Sequence, residues 1–328
     1  MKKKSFLLIT MLMLALSMVL AACGGDTKEE GGESGEKSAD LPKFISILTG
    51  GTGGTYYPLG GSFADIVTDE TGIQATAQTT GASAENMTTL KAGDAEVAFS
   101  QTDIASYAKE GTAMFEGNAV ENVQAIGTLY PETIQIVTTA KTGIKSVEDL
   151  KGKKVSIGAP GSGTALNAEQ ILEAYGIALT DIQKQDLDFA ESTEGIQDGT
   201  IDAAFITAGT PAGAVESLSA TADVVIVPLD QDKIDALMEK YPYYIQDEVT
   251  AGTYGLEEAV PTVAVSAMLV VTSDLSEDAV YEITKAIFEN LDKVTHAKAK
   301  VIDPAKAKEG AGIDIHPGAQ KYFDEKGY

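Results

Sequence analysis

Apolar and polar positions divide the chain into three unequal parts. Behind Lys2, Lys3 and Lys4, the run from Phe6 to Val19 is almost wholly apolar yet shorter than the roughly eighteen residues of a membrane span, which is the pattern of an export signal. Gly24 to Asp40 holds Gly, Glu, Ser and Lys with no large apolar residue; it cannot bury enough surface to order itself and predicts a solvated tether. From Leu41 onward, short apolar runs alternate with segments of helical spacing. Phe44 to Leu48 predicts a strand, Gly50 to Thr55 a glycine loop, and Tyr56 to Thr68 a helix with Phe63, Ile66 and Val67 on one side. Ile73 to Thr80 follows as a strand, Ser83 to Ala92 as a helix capped by Ser83, and Val97 to Ser100 as a third strand. This βαβαβ order favours a parallel sheet.

A second set of units starts at Leu129. Ile134 to Thr139 predicts a strand, Val147 to Leu150 a helical turn, Val155 to Gly158 a strand, and Gly161 to Thr164 a loop feeding a helix from Ala165 to Tyr175. A weak strand at Asp186 to Phe189, a helix at Ser192 to Asp198, a strand at Ala203 to Ile206 and a helix start at Gly209 to Ser217, with Pro211 in its first turn, lead to a strand at Val224 to Pro228. Val263 to Thr272 is a continuous apolar strand, and Asp278 to Leu291 carries Val280, Ile283, Ile287 and Leu291 at helical spacing. The fold class predicted is α/β: two βα lobes joined by a hinge, with residues 41–128 plus 273–328 as lobe I and 129–272 as lobe II. A ligand belongs in the cleft between them, where strand carboxyl ends and helix amino ends converge.

Composition narrows the function. The basic total of 24 is entirely Lys, set against 49 acidic residues, and a formal net charge of −25 argues against nucleic-acid binding. One Cys and two His leave no disulfide framework and too few ligands for a Cys/His zinc site. No cofactor, metal ligand or catalytic residue is expected. An exported hydrolase is the rival from another class, but no Gly-x-Ser-x-Gly elbow is present and neither His, both in the polar tail and expected to be solvated, is placed to serve one. The single Cys has its own role: Leu20, Ala21, Ala22 and Cys23 resemble the lipobox of bacterial lipoproteins, which makes residues 1–22 a cleaved signal peptide and Cys23 the lipid acceptor.

Ordered blocks along the body carry a wider resemblance. Gly51 to Gly60 (Gly-Thr-Gly-Gly-Thr-Tyr-Tyr-Pro-Leu-Gly), Gly81 to Asn86, Phe99 to Asp103, Leu129 to Glu132, Asp149 to Lys153, Gly158 to Thr164 with Asn167, and Gly209 to Pro211 together resemble the TAXI family of TRAP-transporter solute receptors over about Lys43 to Leu291. The resemblance implies an extracytoplasmic receptor with the bilobal fold of type II periplasmic binding proteins. It implies a monomer that captures a small organic acid, such as glutamate or a dicarboxylate, and hands it to an ion-coupled membrane permease without an ATPase. A sensory or adhesion lipoprotein on the same fold is the alternative.

The residues suggest how an anion is held. Gly54, Thr55 and Tyr56 open one helix, where unpaired amides sit at the positive end of the helix dipole. Ser162, Gly163 and Thr164, with Asn167 one turn on, repeat the arrangement in the second lobe; no Lys follows Gly163, so this is not a P-loop. Ser83 and Asn86 begin a third helix, while Gln101 and Asp103 follow a strand at its carboxyl end. Tyr130 is expected to roof the ligand at the lobe crossover, beside Glu132, which could accept an ammonium group. Thr207, Gly209 and Thr210 lie at another strand end, with Thr262 a weaker candidate. Without Arg there is no guanidinium fork, so recognition is expected to rest on backbone amides, hydroxyls, side-chain amides or a Lys inside closing lobes.

Overall fold

The computed structural model describes residues 41–328; the segments expected as signal peptide (1–22) and lipidated tether (23–40), with Cys23, lie outside the described residues. Five apolar-rich residues form β1 (Phe44–Leu48), and the following glycine loop enters α1 (Tyr56–Thr71), which buries Leu59, Phe63, Ile66 and Val67 along one face. Then come β2 (Gln74–Gln78), α2 (Ser83–Ala92), the fully buried β3 (Val97–Gln101) and α3 (Thr102–Glu110). The second half comprises β4 (Val123–Thr139), β5 (Lys154–Ser156), α4 (Gly163–Ala174), β6 (Gln183–Gln185), α5 (Phe189–Asp198), β7 (Ala203–Ala208), α6 (Gly213–Ser219) and β8 (Val224–Val227). It continues through α7 (Gln231–Lys240), β9 (Ile245–Val249) and β10 (Val260–Thr272), and the chain ends with α8 (Glu277–Glu289) and α9 (Pro317–Lys326).

The strands run in the order β2-β1-β3-β10-β4-β7-β5-β6, with β8 also on β4 and β9 on β10. Parallel pairs β1–β2 and β1–β3 form the sheet of one lobe, and parallel pairs β5–β6 and β5–β7 that of the other. Two long antiparallel strands join them. β4 pairs with the carboxyl half of β10 through residues 123–128, then with β7 through 133–137; β10 pairs with β9 through 260–264, then with β3 through 267–271. Helices cover both faces of each lobe. α1, α8 and α9 close one face of lobe I over Phe63, Phe99 and Phe323, while α2 and α3 close the other over Leu90 and Ile104. In lobe II, α4 and α7 pack over Ile171 and Phe205, opposite α5 and α6 over Ile196 and Val215. This is the α/β bilobal architecture expected from the alternation of elements. Among the described residues no helix is long and apolar enough to cross a membrane.

Several expectations are corrected. β4 begins at Val123 instead of Ile134, because Gly127, Pro131 and Glu132 interrupt an apolar pattern that strand pairing sustains. The weak strand expected at Asp186 to Phe189 lies upstream, at Gln183–Gln185, and Phe189 already opens α5: Asp188 caps that helix in a capping box with Glu191, a D-x-x-E signal present in the sequence. The Thr210–Pro211 peptide is cis and α6 starts only at Gly213, so Pro211 precedes the helix. Neither His is simply solvated. His316 is buried, and its Nδ1 accepts from the Gly318 amide to cap α9; His296 Nδ1 accepts from the Lys298 amide.

Candidate functional site

The loops at the strand ends of the two lobes face each other around a partly open pocket of about 40 Å³, room for roughly three waters at about 10–15 Å³ each. Lobe I contributes Gly54, Thr55 and Tyr56 from the start of α1, Ser83 from the start of α2 and Gln101 from the end of β3. Lobe II contributes Ser162, Gly163 and Thr164 from the start of α4 and Thr207 from β7. With Glu132 from β4, ten residues singled out in the sequence therefore share one pocket. Ser162 takes the N-cap of α4, its Oγ accepting from the Ala165 amide at 3.2 Å. The amides of Gly163 and Thr164 have no acceptor among the described residues. They lie at the positive end of a twelve-residue helix.

The opposite wall is acidic. Tyr56 stacks on Phe99 with ring centroids 4.9 Å apart and donates its hydroxyl to Glu132 Oε2 at 2.8 Å. Burial pushes the Glu132 carboxyl up to about 8, Asp103 adds to the rise, and the Tyr56 hydroxyl, Gln101 and Lys298 oppose it. Burial and then Glu132 push the Tyr56 phenol up in turn. At neutral pH Glu132 is thus a neutral carboxyl, and no Lys lines the cavity. Lys298 lies behind: its stem packs on Gly209, and burial lowers its ammonium while Asp247 and Glu132 hold it up. Among the described residues no cluster of three or more His, Cys, Asp or Glu side chains could hold a metal ion.

The glycine loops behave differently from the sequence expectation. They let the opposite lobe approach as much as any ligand. A Cβ on Gly81 would strike the Pro160 carbonyl across the cleft, and one on Gly163 would strike the Gln101 side-chain amide. Ser83 does not cap α2. Ala82 holds that position at φ 78°, ψ −143°, and the Ala84 and Glu85 amides donate to the Gly161 carbonyl of lobe II at 3.0 and 3.1 Å. The Ala214 amide of α6 donates to the Gly53 carbonyl of lobe I at 3.0 Å. Thr55 likewise crosses the cleft, its Oγ donating to the Gly209 carbonyl at 3.3 Å.

Other candidates stand outside the lining. Asn86 is fully buried and braces strand ends: Nδ2 donates to the Thr49 and Phe99 carbonyls at 2.7 and 2.8 Å while Oδ1 accepts from Thr80 at 2.6 Å. Tyr130, expected as a roof, packs into the lobe I core and borders a separate surface groove with Pro131, Ile245 and Val301. Asn167 sits one layer behind Thr207 and Gln101. Gly209 serves through its carbonyl, Thr210 Oγ lies 3.5 Å from Thr133 Oγ, and Thr262 donates to the Ile134 carbonyl at 2.6 Å. The cavity also takes in Asp188 and Phe189, which the apolar pattern assigns to the end of a strand.

Solved structures share this architecture at low identity. A protein from Bordetella bronchiseptica RB50 superposes with a TM-score of 0.55 at 18% identity, covering 85% of this chain and 82% of that one. PhnD1 from Prochlorococcus marinus MIT 9301, solved with methylphosphonate, gives 0.52 at 13% identity, covering 79% and 88%. A periplasmic transporter gives 0.52 at 15% identity, covering 86% and 92%. The fold is that of bilobal periplasmic binding proteins. Residues 47–327 match the model of the NMT1-like family, and the chain belongs to that family.

Proposed function

We propose that this protein is a lipid-anchored extracytoplasmic receptor that closes its lobes on a small carboxylate and delivers it to a TRAP-type permease. The observation that carries the reading is the pair of acceptor-free amides at Gly163 and Thr164, with the Thr164 hydroxyl, opening into a partly open pocket between two lobes. PhnD1, of the same fold, holds a small anion. The cavity volume favours the short end of the range from dicarboxylates to glutamate-like acids, because a longer acid needs the lobes further apart than they stand here. The TAXI-like sequence blocks support the permease, and the lipobox at Cys23 supports the anchor. The proposed lobes are 41–128 with 273–328 and 129–272; β4 changes sheets near the first boundary, whereas β10 already joins β3 of lobe I from Ala267, ahead of the second.

Glu132 reconciles an acidic wall with an anionic ligand. Its neutral form can face a carboxylate without repulsion, whereas its ionised form repels one and suits an ammonium group. The neutral form prevails below about 8, so affinity for a plain carboxylate is expected to be greater on the acid side of that point and to fall as pH rises through it. Thermal-shift screening against short mono- and dicarboxylates and amino acids tests the reading, followed by titration of the best hit against pH. Glu132→Gln should keep the affinity and lose the alkaline fall. A panel without a hit would sink the carboxylate assignment, and an unchanged pH profile in Glu132→Gln would remove Glu132 from it.

A further inference from the structure

Behind the cavity wall, α3 of lobe I meets α4 of lobe II through polar side chains. Asn167 Nδ2 donates to Asp103 Oδ2 at 2.9 Å and lies 3.1 Å from the Tyr244 hydroxyl, while Asn167 Oδ1 accepts from Gln101 and Thr207. Beside it Gln170 Nε2 donates to the Tyr107 hydroxyl at 3.3 Å, and Tyr107 meets Tyr243 edge to face at 5.5 Å. Asp103 is 2% exposed, and its Oδ1 has no partner among the described residues. The segment between α7 and β9 supplies only phenols here, α4 only amides, and β4 the second carboxyl, Glu132. No cation is among the groups that move Asp103. A carboxylate has thus been brought between two lobes with one side-chain donor and no counter-charge.

We propose that Asp103 and Asn167 form a proton-linked latch, in which lobe closure buries the Asp103 carboxyl against Asn167 and is favoured when that carboxyl is protonated. An ionised carboxylate loses its hydration on closing, and the Asn167 side chain with the Ile104 and Asp103 backbone amides offsets that loss only in part. In the closed form burial raises Asp103 to about 6 from its ordinary 3.8, against the opposing Ile104 amide and Asn167 side chain. Once the lobes part, the carboxyl regains water and its ordinary value. The closed form therefore binds more protons between those two values and gains as pH falls through about 6. Two units of difference allow up to about a hundredfold change in the open-to-closed ratio. Glu132 titrates higher, and the Asp103 charge adds to its rise.

The latch rests on the reading of the protein as a receptor whose lobes open and close, but not on which solute it takes, so its test uses the full chain with no solute added. The sequence contains no Trp, and Tyr243→Trp places a single indole against Tyr107 at the latch. Its emission is expected to follow a transition near pH 6. Asp103→Asn in that background should abolish the transition and hold the acid-side emission, and Asn167→Ala should hold the alkaline-side emission at every pH. Emission that does not change with pH, or the same midpoint in Asp103→Asn, would overturn the proposal; the latter would assign the transition to another group such as His296 or His316. Should Asp103→Asn fail to fold by circular dichroism, an acid transition persisting in Asn167→Ala overturns it equally. A failed ligand panel leaves these outcomes unaffected.

Discussion

Helix amino ends meet at the junction of the lobes and are used in two ways. Those of α2 and α6 are closed off by carbonyls from the opposite lobe, Gly161 on Ala84 and Glu85, and Gly53 on Ala214. That of α4 is left open toward the cavity. The local chemistry is the same in both, unpaired amides at the positive end of a dipole. What differs is whether a neighbouring loop can bring a carbonyl close enough to fill them. Glycine decides this at the α2 end, since Gly81 leaves room for the Pro160–Gly161 backbone. One set of helix ends thus joins lobe to lobe, and the other is available to a solute.

Substitutions can break this distinction. The most general effect is expected from Gly81→Ala, whose methyl group must displace the Pro160 carbonyl. Overpacking of that kind costs about 1–3 kcal/mol, here charged to the closed form alone, so calorimetry should show every ligand weakened to a similar degree. Thr164→Val acts at the open end. Losing a hydrogen bond to a charged group costs about 1.5–3 kcal/mol, and only anions should suffer, with neutral analogues unaffected. Thr55→Val should matter less, about 0.5–1.5 kcal/mol, because that hydroxyl is spent on the Gly209 carbonyl; a loss equal to that of Thr164→Val would put Thr55 on the solute instead. Smallest is Ala82→Gly, which relieves a left-handed φ of 78° and should stabilise the fold by up to about 1 kcal/mol in chemical denaturation.

Alternation of short strands and helices made the two lobes legible, and strand ends identified most of the cavity lining. Elements with few large apolar residues were not legible. α3 buries mainly small side chains, and α7 buries only Ile234 and Leu237, so neither shows the series of large apolar residues that marks α1. The polar candidates divided according to a property absent from spacing, namely which partner each side chain finds. Asn86 and Thr207 both follow strand or helix signals, yet Asn86 spends its whole amide on Thr49, Phe99 and Thr80 whereas Thr207 reaches the cavity. Gly53, Gly81 and Gly163 were visible as flexible loop positions. That they meet the opposite lobe depends on how the two lobes fold against each other, which no local pattern encodes.

The passage from one lobe to the other is made twice, by β4 and β10, and both times in the middle of a paired strand that is largely buried. A connector of this kind bends as a ribbon and keeps its ladder, so the amplitude of opening is limited by how far two hydrogen-bonded strands can twist together. It also presents no unpaired, extended stretch for a peptidase to seize, and a cut in any outer loop would leave the halves still stitched together.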